Sequence, residues 1–287
     1  MGLALAGFVL LSVGDAVVKG MAGQWSPPAV GALRYGIGSV MLALLLWHRE
    51  GRGGFRCPQP RLHLIRAASV SISAAAFFTG VQMMPLADIT AISFTSPFIV
   101  ASLSAIILKE PPTRSTLIAG VVAFLGTVIV LRPNIAAIGW AGLLPLIAAT
   151  GFATLVVSNR IAAGSGSALQ MQVLLSALAF PMLSALALAA DAVGPARFAL
   201  SWPEAGVIAR CAIIAVTASL GHMLIYLATE RVSASRTAPL MYVQLLMAVT
   251  LGAVFFDEQP DAGMLIGAAI IVGAGLYLWR AERITAS

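Results

Sequence analysis

Two pairs of residues combine an aromatic ring with a polar side chain four positions away. Phe78 and Gln82 form one pair, and His222 and Tyr226 form the other. Residues four apart lie on the same face of an α-helix, so each face presents a ring beside an amide or an imidazole. Polar groups that fix orientation among apolar walls are typical of small-molecule sites, and these two faces could hold an amphipathic zwitterion. Hydrogen bonding between helices is the alternative role for Gln82 and His222.

An internal repeat relates these two faces. Met83–Arg132 matches the pattern of Arg231–Arg280 without a gap. The identities cluster around one turn, where Glu110 meets Glu258. In each copy an apolar helix ends, an acidic Glu-x-Pro turn follows and a second helix begins. Recurrence of one such unit predicts a repeat architecture.

The same alignment pairs four aromatic residues. Phe78 meets Tyr226, and Phe94 meets Tyr242. If the two copies face each other, these rings converge and form a cage suited to an apolar or aromatic side chain. Mirrored core packing is the alternative for Phe78 and Phe94, whereas tyrosine hydroxyls need a partner in lipid and favour the cavity. Gln244, inside another apolar run, adds a second amide to the candidate site.

The composition excludes a soluble globular protein. The chain has 287 residues, of which 60% are hydrophobic and 10% charged, and its mean hydropathy is +0.96. Such a chain cannot cover itself with a polar surface, so its solvent is the lipid bilayer. The net charge of +6 would suggest a nucleic-acid partner in a soluble protein. Here the basic residues lie in loops between apolar runs, which is a membrane-orientation signal, and no nucleic acid is expected.

A transmembrane helix needs about 20 apolar residues to cross roughly 30 Å of hydrocarbon. The sequence predicts an all-α integral membrane protein with ten spans: Leu3–Ala22, Ala29–Trp47, Leu64–Met84, Ala87–Leu108, Ser115–Leu131, Trp140–Asn159, Ala168–Ala190, Ala205–Thr229, Ser233–Phe256 and Ala262–Trp279. Together with the repeat, this count predicts two five-helix units, residues 1–135 and 136–287. Because five is odd, the second unit enters the membrane inverted, with a central cavity between the units.

Loop charges predict the orientation. Basic residues dominate one side and acidic residues the other: Arg49, Arg52, Arg56, Arg61, Arg114, Arg160, Arg236 and Arg283 against Asp88, Asp191, Glu204, Asp257, Glu258 and Asp261. Positive loops stay in the cytoplasm, so both termini are expected to be cytoplasmic in a bacterial inner membrane.

Asp15 lies near the middle of the first span, with Lys19 one turn further on. An unpaired carboxylate there costs at least about 2.5–3.5 kcal/mol on insertion scales. Asp15 and Lys19 could neutralise each other while Lys19 extends outward, or Asp15 could be a proton or substrate-amine site. His222 is the other candidate intramembrane proton carrier. Arg34 could extend to the interface or meet a substrate carboxylate.

Two prolines interrupt predicted spans. Pro97 lies in the fourth span and Pro239 near the start of the ninth. Proline frees a backbone carbonyl and permits a bend, so both are candidate hinges, with simple shape accommodation as the alternative.

The two acidic turns, Lys109–Pro112 and Asp257–Pro260, and the five-plus-five span pattern resemble the drug/metabolite transporter superfamily. Within it the chain is most similar to EamA-type members such as the YddG-type bacterial amino-acid exporters. The resemblance covers the full length. It implies a cavity lined by spans 1, 3, 4, 6, 8 and 9, with spans 5 and 10 to one side. It also implies outward transport of amino acids, most of all those with aromatic or apolar side chains.

Other classes fit less well. The chain has three histidines and no H-E-x-x-H, G-x-S-x-G or P-loop pattern, so neither an enzyme with catalytic residues nor a metal or cofactor is expected. A passive channel or a carrier of another metabolite or drug class stays open, because polar cavity residues suit both. Mirrored small residues, Ser115/Ala119 and Gly263/Gly267, allow close packing within a monomer, the preferred interpretation, or across a dimer.

Overall fold

The computed structural model describes residues 2–109, 114–131, 139–162, 164–231 and 243–285. These ranges form α-helices joined by short turns and 3-10 segments, and they contain no strand. The helices are α1 (Gly2–Lys19), α2 (Pro27–Glu50), α3 (Pro60–Met83), α4 (Leu86–Ser93), α5 (Ser96–Ile107), α6 (Arg114–Leu131), α7 (Leu144–Ile161), α8 (Ala168–Val193), α9 (Ala205–Arg231), α10 (Val243–Phe256) and α11 (Ala262–Thr285).

The described part of the chain has seven helical segments that are long and apolar enough to cross a membrane, and shorter apolar helices at Leu117–Val130 and Val243–Phe256. Large apolar side chains are exposed on many helices, including Val40, Leu44, Val121, Phe124, Leu188, Val254 and Phe255. Contiguous apolar surface of this extent would aggregate in water and suits lipid. The all-α membrane class is therefore confirmed, while the count of ten spans stays a prediction.

Local sequence explains where several helices begin. Prolines occupy the first turn of α2 and of α3, where their fixed φ and missing N–H are tolerated. The Ser167 hydroxyl accepts a 3.1 Å hydrogen bond from the Gln170 N–H at the start of α8. At the start of α11, Asp261 Oδ1 accepts one of 2.7 Å from the Met264 N–H. Side-chain caps of this kind satisfy N–H groups that a helix leaves unpaired.

The fourth predicted span is broken. Helix α4 ends at Ser93 and α5 begins at Ser96, with Pro97 in its first turn. Proline has no N–H to donate to the carbonyl four residues earlier, which here belongs to Ser93. The Ser93 hydroxyl also donates to the Ile89 carbonyl at 2.7 Å, a bond that bends helices. The break lies where the sequence predicted a bend, and motion about Pro97 stays a prediction.

Helices pack mainly in four long pairs: α1 with α9, α2 with α8, α3 with α7, and α6 with α11. Glycines let these backbones approach closely. A Cβ added to Gly7 would lie 2.7 Å from the Gly221 carbonyl oxygen, and one added to Gly267 would lie 2.6 Å from the Gly126 carbonyl oxygen. Small residues drive such packing in lipid, where apolar association gives no advantage. For Gly267 the intramolecular interpretation is confirmed.

Polar contacts gather at the two ends of the bundle. At one end, called the Glu258 end, the Lys19 ammonium pairs with Glu258 at 2.6 Å. At the other, called the Glu50 end, the Ser167 hydroxyl donates to Glu50 Oε1 at 2.6 Å. Both contacts join residues that the predicted topology places on the same side of the membrane.

Candidate functional site

Helices α1 and α2 both pack against α9. Glycine contacts fix the depth of α1 and α2 along α9. A Cβ on Gly14 would lie 3.0 Å from the Thr217 hydroxyl oxygen, and one on Gly38 would lie 3.9 Å from the Ser219 hydroxyl oxygen. We call the region where α1 and α2 pack against α9 the central cleft.

Asp15 and Arg34 lie at one depth across this cleft. Helix α1 runs antiparallel to α9, because Gly14 faces Thr217 while Gly7 faces Gly221. Asp15 therefore lies level with α9 residue 216. Helices α2 and α9 both begin near the Glu258 end, where the Trp25 indole donates to the Ser201 carbonyl at 2.9 Å. Arg34, one turn before Gly38, is thus level with residue 215.

Arg34 rests against two aromatic rings. Its guanidinium carbon lies 4.6 Å from the Tyr35 ring centroid and 5.6 Å from the Phe78 ring centroid. Cation–π contacts of this kind contribute about 0.5–2 kcal/mol. Phe78 itself is only 3% exposed and belongs to a core cluster with Val18, Val30 and Val81. Phe78 therefore combines core packing with a contact to the charge in the cleft.

Three ionisable groups share this region of the bundle. Arg34 lies within electrostatic range of Asp15 and His222. Among the described residues, no hydrogen bond or contact ion pair joins any of the three to another side chain. Asp15 and Arg34 are half-buried and His222 is exposed. Charged groups inside a membrane protein need a partner or water, so this polar region of the apolar bundle is the candidate functional site.

Lys19 does not neutralise Asp15. Its ammonium bonds to Glu258 Oε1 at 2.6 Å and donates to the Met84 carbonyl at 2.6 Å. The self-neutralising pair offered as one interpretation of the sequence is therefore wrong, because Glu258, from the α10–α11 turn, supplies the counter-charge.

The contact of Lys19 with Glu258, here called the Lys19–Glu258 bridge, ties three elements together. Glu258 Oε2 also accepts a 2.9 Å hydrogen bond from the Leu86 N–H. The bridge thus joins the end of α1, the α3–α4 turn and the α10–α11 turn. Its side chains are only 13% and 17% exposed, and removing one partner of a buried pair leaves a costly uncompensated charge.

A small pocket lies beside this bridge. Its volume is about 160 Å³, and it is lined by Pro85, Ala87, Asp88, Val249, Gly252, Glu258, Gln259, Pro260 and Asp261. Ligand sites typically measure about 300–1,000 Å³. The pocket is therefore a feature of the closed Glu258 end, and the central cleft is the stronger candidate for a substrate.

Comparison with known proteins decides the family. A model of the EamA-like transporter family matches twice, over residues 1–132 and over residues 139–280. The chain belongs to this family. The match makes it a multi-pass membrane transporter rather than an enzyme.

The names of proteins similar to this EamA-like transporter refer to different substrates. A S-adenosylmethionine uptake transporter of Rickettsia bellii is 25% identical, over 99% of this chain and 94% of the relative. A riboflavin transporter of Rhizobium johnstonii is 27% identical, over 98% and 90%. The pseudopaline exporter CntI of Pseudomonas aeruginosa is 26% identical, over 98% and 96%. A solved crystal structure shares the fold, with a TM-score of 0.66 and 17% identity over 100% of this chain and 99% of that one.

The structure describes some of the remaining predicted site residues of the EamA-like transporter and not others. Gln82 is half-buried, and its amide nitrogen is buried without a hydrogen-bond partner among the described residues. Gln244 is half-buried in the first turn of α10. Tyr242, Pro239 and the side chain of Tyr226 lie outside the described residues.

Phe94 is 4% exposed, at the break between α4 and α5, and packs in a core cluster with Val130, Met264 and Ile271. Phe78 belongs to a separate core cluster. This packing matches the alternative role that the sequence offered for both phenylalanines, and their place in a substrate cage stays a prediction.

Sequence reasoning understated two basic residues. The sequence signal for Arg34 is a basic residue inside an apolar span. Arg66 lies just inside the third predicted span, next to a basic loop, and its side chain is 4% exposed in the structure. It bonds Asn159 Oδ1 at 2.7 Å and His63 Nδ1 at 2.8 Å. This cluster ties α3 to α7 near the Glu50 end.

Proposed function

We propose that this transporter exports small amphipathic metabolites, most of all amino acids with aromatic or apolar side chains, by alternating access around the central cleft. The observation that carries the proposal is the grouping of Asp15 and His222 within electrostatic range of Arg34, with Arg34 against the Phe78 ring. Polar groups among apolar walls suit a molecule with a charged end and an apolar end.

The named relatives narrow the chemical class. S-adenosylmethionine, riboflavin and pseudopaline are all small polar metabolites, and the first carries an α-amino-acid group on an aromatic nucleoside. The names include both uptake and export, so the outward direction rests on the resemblance to amino-acid exporters. His222 and Asp15 are the proposed proton or charge sites, and Phe78, Gln82, Tyr226, Tyr242 and Gln244 are proposed to line the substrate path.

Two inverted units, residues 1–135 and 136–287, are proposed to surround the cleft. The double family match supports this organisation. In the proposed repeat, α1 corresponds to α7 and α3 corresponds to α9. The packing of α1 on α9 therefore has a counterpart in the packing of α7 on α3, and the structure contains both pairs. At residue level, a Cβ on Gly14 would contact Thr217, and a Cβ on Gly151 would lie 2.8 Å from the Ser69 carbonyl. Thr217 and Ser69 are equivalent in the repeat alignment, so each unit contributes a glycine contact at this position.

The Glu50 end is proposed to face the cytoplasm. Exposed Arg49, Arg52 and Arg56 gather there, as cytoplasmic loops require. Leu86, which contacts Glu258, begins the broken span that ends just before Lys109. Lys109 is therefore proposed to lie at the opposite end of the bundle from Glu258. Labelling Lys109→Cys and Gln259→Cys separately with an impermeant reagent on intact cells should modify only the second, and modification of both would contradict the inversion.

Alternating access requires the Glu258 end to open and close. The Lys19–Glu258 bridge holds that end closed across three elements. Pro97 and Pro239 are proposed as hinges, because proline leaves a backbone carbonyl free where a helix must change direction. A monomer is proposed to be sufficient, since Gly267 already packs within the chain.

Purified protein in liposomes tests the function. We expect saturable flux of labelled L-phenylalanine, counterflow, and competition by aromatic amino acids that exceeds competition by sugars or nucleotides. Flux that rises linearly with concentration and lacks counterflow would identify a channel. Competition by S-adenosylmethionine or riboflavin alone would move the substrate to the class of those relatives.

The direction is tested in cells. Cells that express the protein and are loaded with labelled phenylalanine should retain less label than cells carrying an empty vector. Greater accumulation in the expressing cells would contradict export and leave transport itself intact.

A further inference from the structure

We propose that Asp15 and Arg34 form a two-pole site that recognises a zwitterionic head group, with the substrate carboxylate on Arg34 and its ammonium on Asp15. This inference rests on the proposed function and names the chemistry of its substrate site. It assigns the specificity of the central cleft to two residues on different helices.

Opposite charges at one depth, but not in contact, are the geometric basis. Contacts of Gly14 with Thr217 and of Gly38 with Ser219 place Asp15 and Arg34 at the same level along α9. The two side chains are within electrostatic range yet form no contact ion pair. Bringing them together would satisfy both charges, so their separation leaves room for a group that satisfies each of them. A zwitterion has that property and carries no net charge into the membrane.

The environment of Arg34 prepares it for a carboxylate. The Tyr35 and Phe78 rings lie within 4.6 and 5.6 Å of its guanidinium carbon and hold the group by cation–π contact. Ring contacts leave the edge N–H donors of a guanidinium available, and in the described structure these donors make no hydrogen bond to protein. A planar fork of N–H donors matches a carboxylate in a bidentate way. The adjacent Phe78 ring gives an aromatic substrate side chain a neighbouring apolar wall.

Asp15 is available to an ammonium because the basic residue nearest to it in sequence is engaged elsewhere. Lys19, one turn away on α1, is held by Glu258 and by the Met84 carbonyl. Among the described residues no other lysine or arginine contacts Asp15. The carboxylate is half-buried, where an attraction to a charged ligand is stronger than in bulk water.

A ligand with a single charge would serve this site poorly. A carboxylate alone would leave Asp15 without a cation, and an amine alone would leave Arg34 without an anion. Sites built around polar groups reject analogues that leave those groups unpaired. The two-pole site therefore predicts discrimination by head group, independent of the side chain.

Three compounds that share a phenyl ring test this discrimination: L-phenylalanine, phenethylamine without the carboxylate, and 3-phenylpropionate without the ammonium. Binding to purified protein is measured by displacement of labelled L-phenylalanine. We expect the wild type to bind L-phenylalanine at least about tenfold more tightly than either analogue, since each analogue leaves one charge unpaired.

Variants assign each pole. Arg34→Gln should weaken L-phenylalanine and 3-phenylpropionate by about tenfold or more and leave phenethylamine nearly unchanged, because only the carboxylate partner is lost. Asp15→Asn should weaken L-phenylalanine and phenethylamine and spare 3-phenylpropionate. Arg34→Lys keeps the charge and should recover part of the affinity. Arg49→Gln and Glu204→Gln, both at exposed positions, are the matched charge controls, and size-exclusion profiles confirm folding.

The failure of this inference is distinct from failure of the proposed function. Equal binding of all three compounds by the wild type, or an equal loss for all three in both variants, would overturn the two-pole site while leaving an amino-acid transporter. Absence of saturable L-phenylalanine binding and flux, with riboflavin transported instead, would overturn both.

Discussion

At the residue scale, buried polar groups in this bundle fall into two kinds. Arg66 is fully engaged, with an amide oxygen, an imidazole nitrogen and the Met171 sulfur around it. Arg34 has aromatic neighbours and no hydrogen bond to protein in the described ranges. A satisfied network fixes structure, whereas a charge with unused donors can accept a ligand. This difference separates Arg66, which holds α3 against α7, from Arg34, which is proposed to bind the substrate.

Arg66→Gln should destabilise the protein without changing its substrate preference. The shorter side chain leaves the buried His63 Nδ1 without its partner, at a cost of about 1–3 kcal/mol, and removes the bond that joins α3 to Asn159. A lower melting temperature in detergent, with unaltered competition between L-phenylalanine and its analogues, checks this expectation. Arg61→Gln, at an exposed position on the same helix, is the control and should melt like the wild type. An altered head-group preference in Arg66→Gln would assign Arg66 to the substrate path.

At the element scale, close glycine contacts set the distance between paired helices. Helices α6 and α11 approach through Gly126 and Gly267, where a Cβ on Gly267 would lie 2.5 Å from Val130 Cγ2. Backbone lies on the opposing side as well, since the Gly126 carbonyl oxygen would be 2.6 Å away. A backbone atom cannot rotate out of the way as a side chain can.

Gly267→Ala should therefore separate α6 from α11. Overpacking of a filled interface costs about 1–3 kcal/mol, which a melting curve in detergent would report. Gly273→Ala on the same helix is the matched control, because its Cβ would meet nothing within 4 Å. A similar melting temperature for both variants would show that α6 and α11 can move apart at little cost in stability.

Pro97→Ala tests the break between α4 and α5. Alanine supplies the N–H that the Ser93 carbonyl lacks, and the added hydrogen bond stabilises a continuous helix by about 0.5–1.5 kcal/mol. If the break is a hinge, the maximal transport rate should fall several-fold while the half-saturating concentration stays the same.

Pro181→Ala is the control for this prediction. Pro181 lies inside α8, which continues through it without a break, so its replacement should leave the rate close to that of wild type. A rate unchanged by Pro97→Ala would mean that the break only accommodates shape.

The pattern of apolar residues predicts where the helices lie, but it does not predict which side chains contact each other. Apolar runs gave the helix positions to within a few residues, because span length is set by bilayer thickness. The predicted third span begins at Leu64, whereas α3 begins at Pro60, because polar residues such as Arg61 and His63 are typical of a loop. Only the fold explains why His63 is part of the helix: Arg66 bonds both His63 and Asn159, which is 93 positions away. Likewise, the sequence suggests an ion pair of Lys19 with Asp15, one turn away. The actual partner, Glu258, comes close only in the folded chain.

At the scale of the whole molecule, one contact controls one end of the bundle. The Lys19–Glu258 bridge spans both proposed units, because Lys19 belongs to the first and Glu258 to the second. Glu258 also holds the Leu86 N–H at 2.9 Å, so rupture of the bridge frees two connections at once. An inverted-repeat transporter must open such a closure in every cycle.

Lys19→Met should bias the protein toward opening at the Glu258 end, because Glu258 loses its counter-charge in a partly buried position. Opening is measured in intact cells as the rate at which an impermeant thiol reagent modifies His222→Cys in a Cys57→Ser, Cys211→Ser background. The rate should rise several-fold relative to the same background with Lys19 intact. Exchange of the charges, Lys19→Glu with Glu258→Lys, should lower it again, because the attraction is restored in reverse. A reactivity that Lys19→Met leaves unchanged would mean that packing around the α3–α4 turn, and not this ion pair, keeps the end shut.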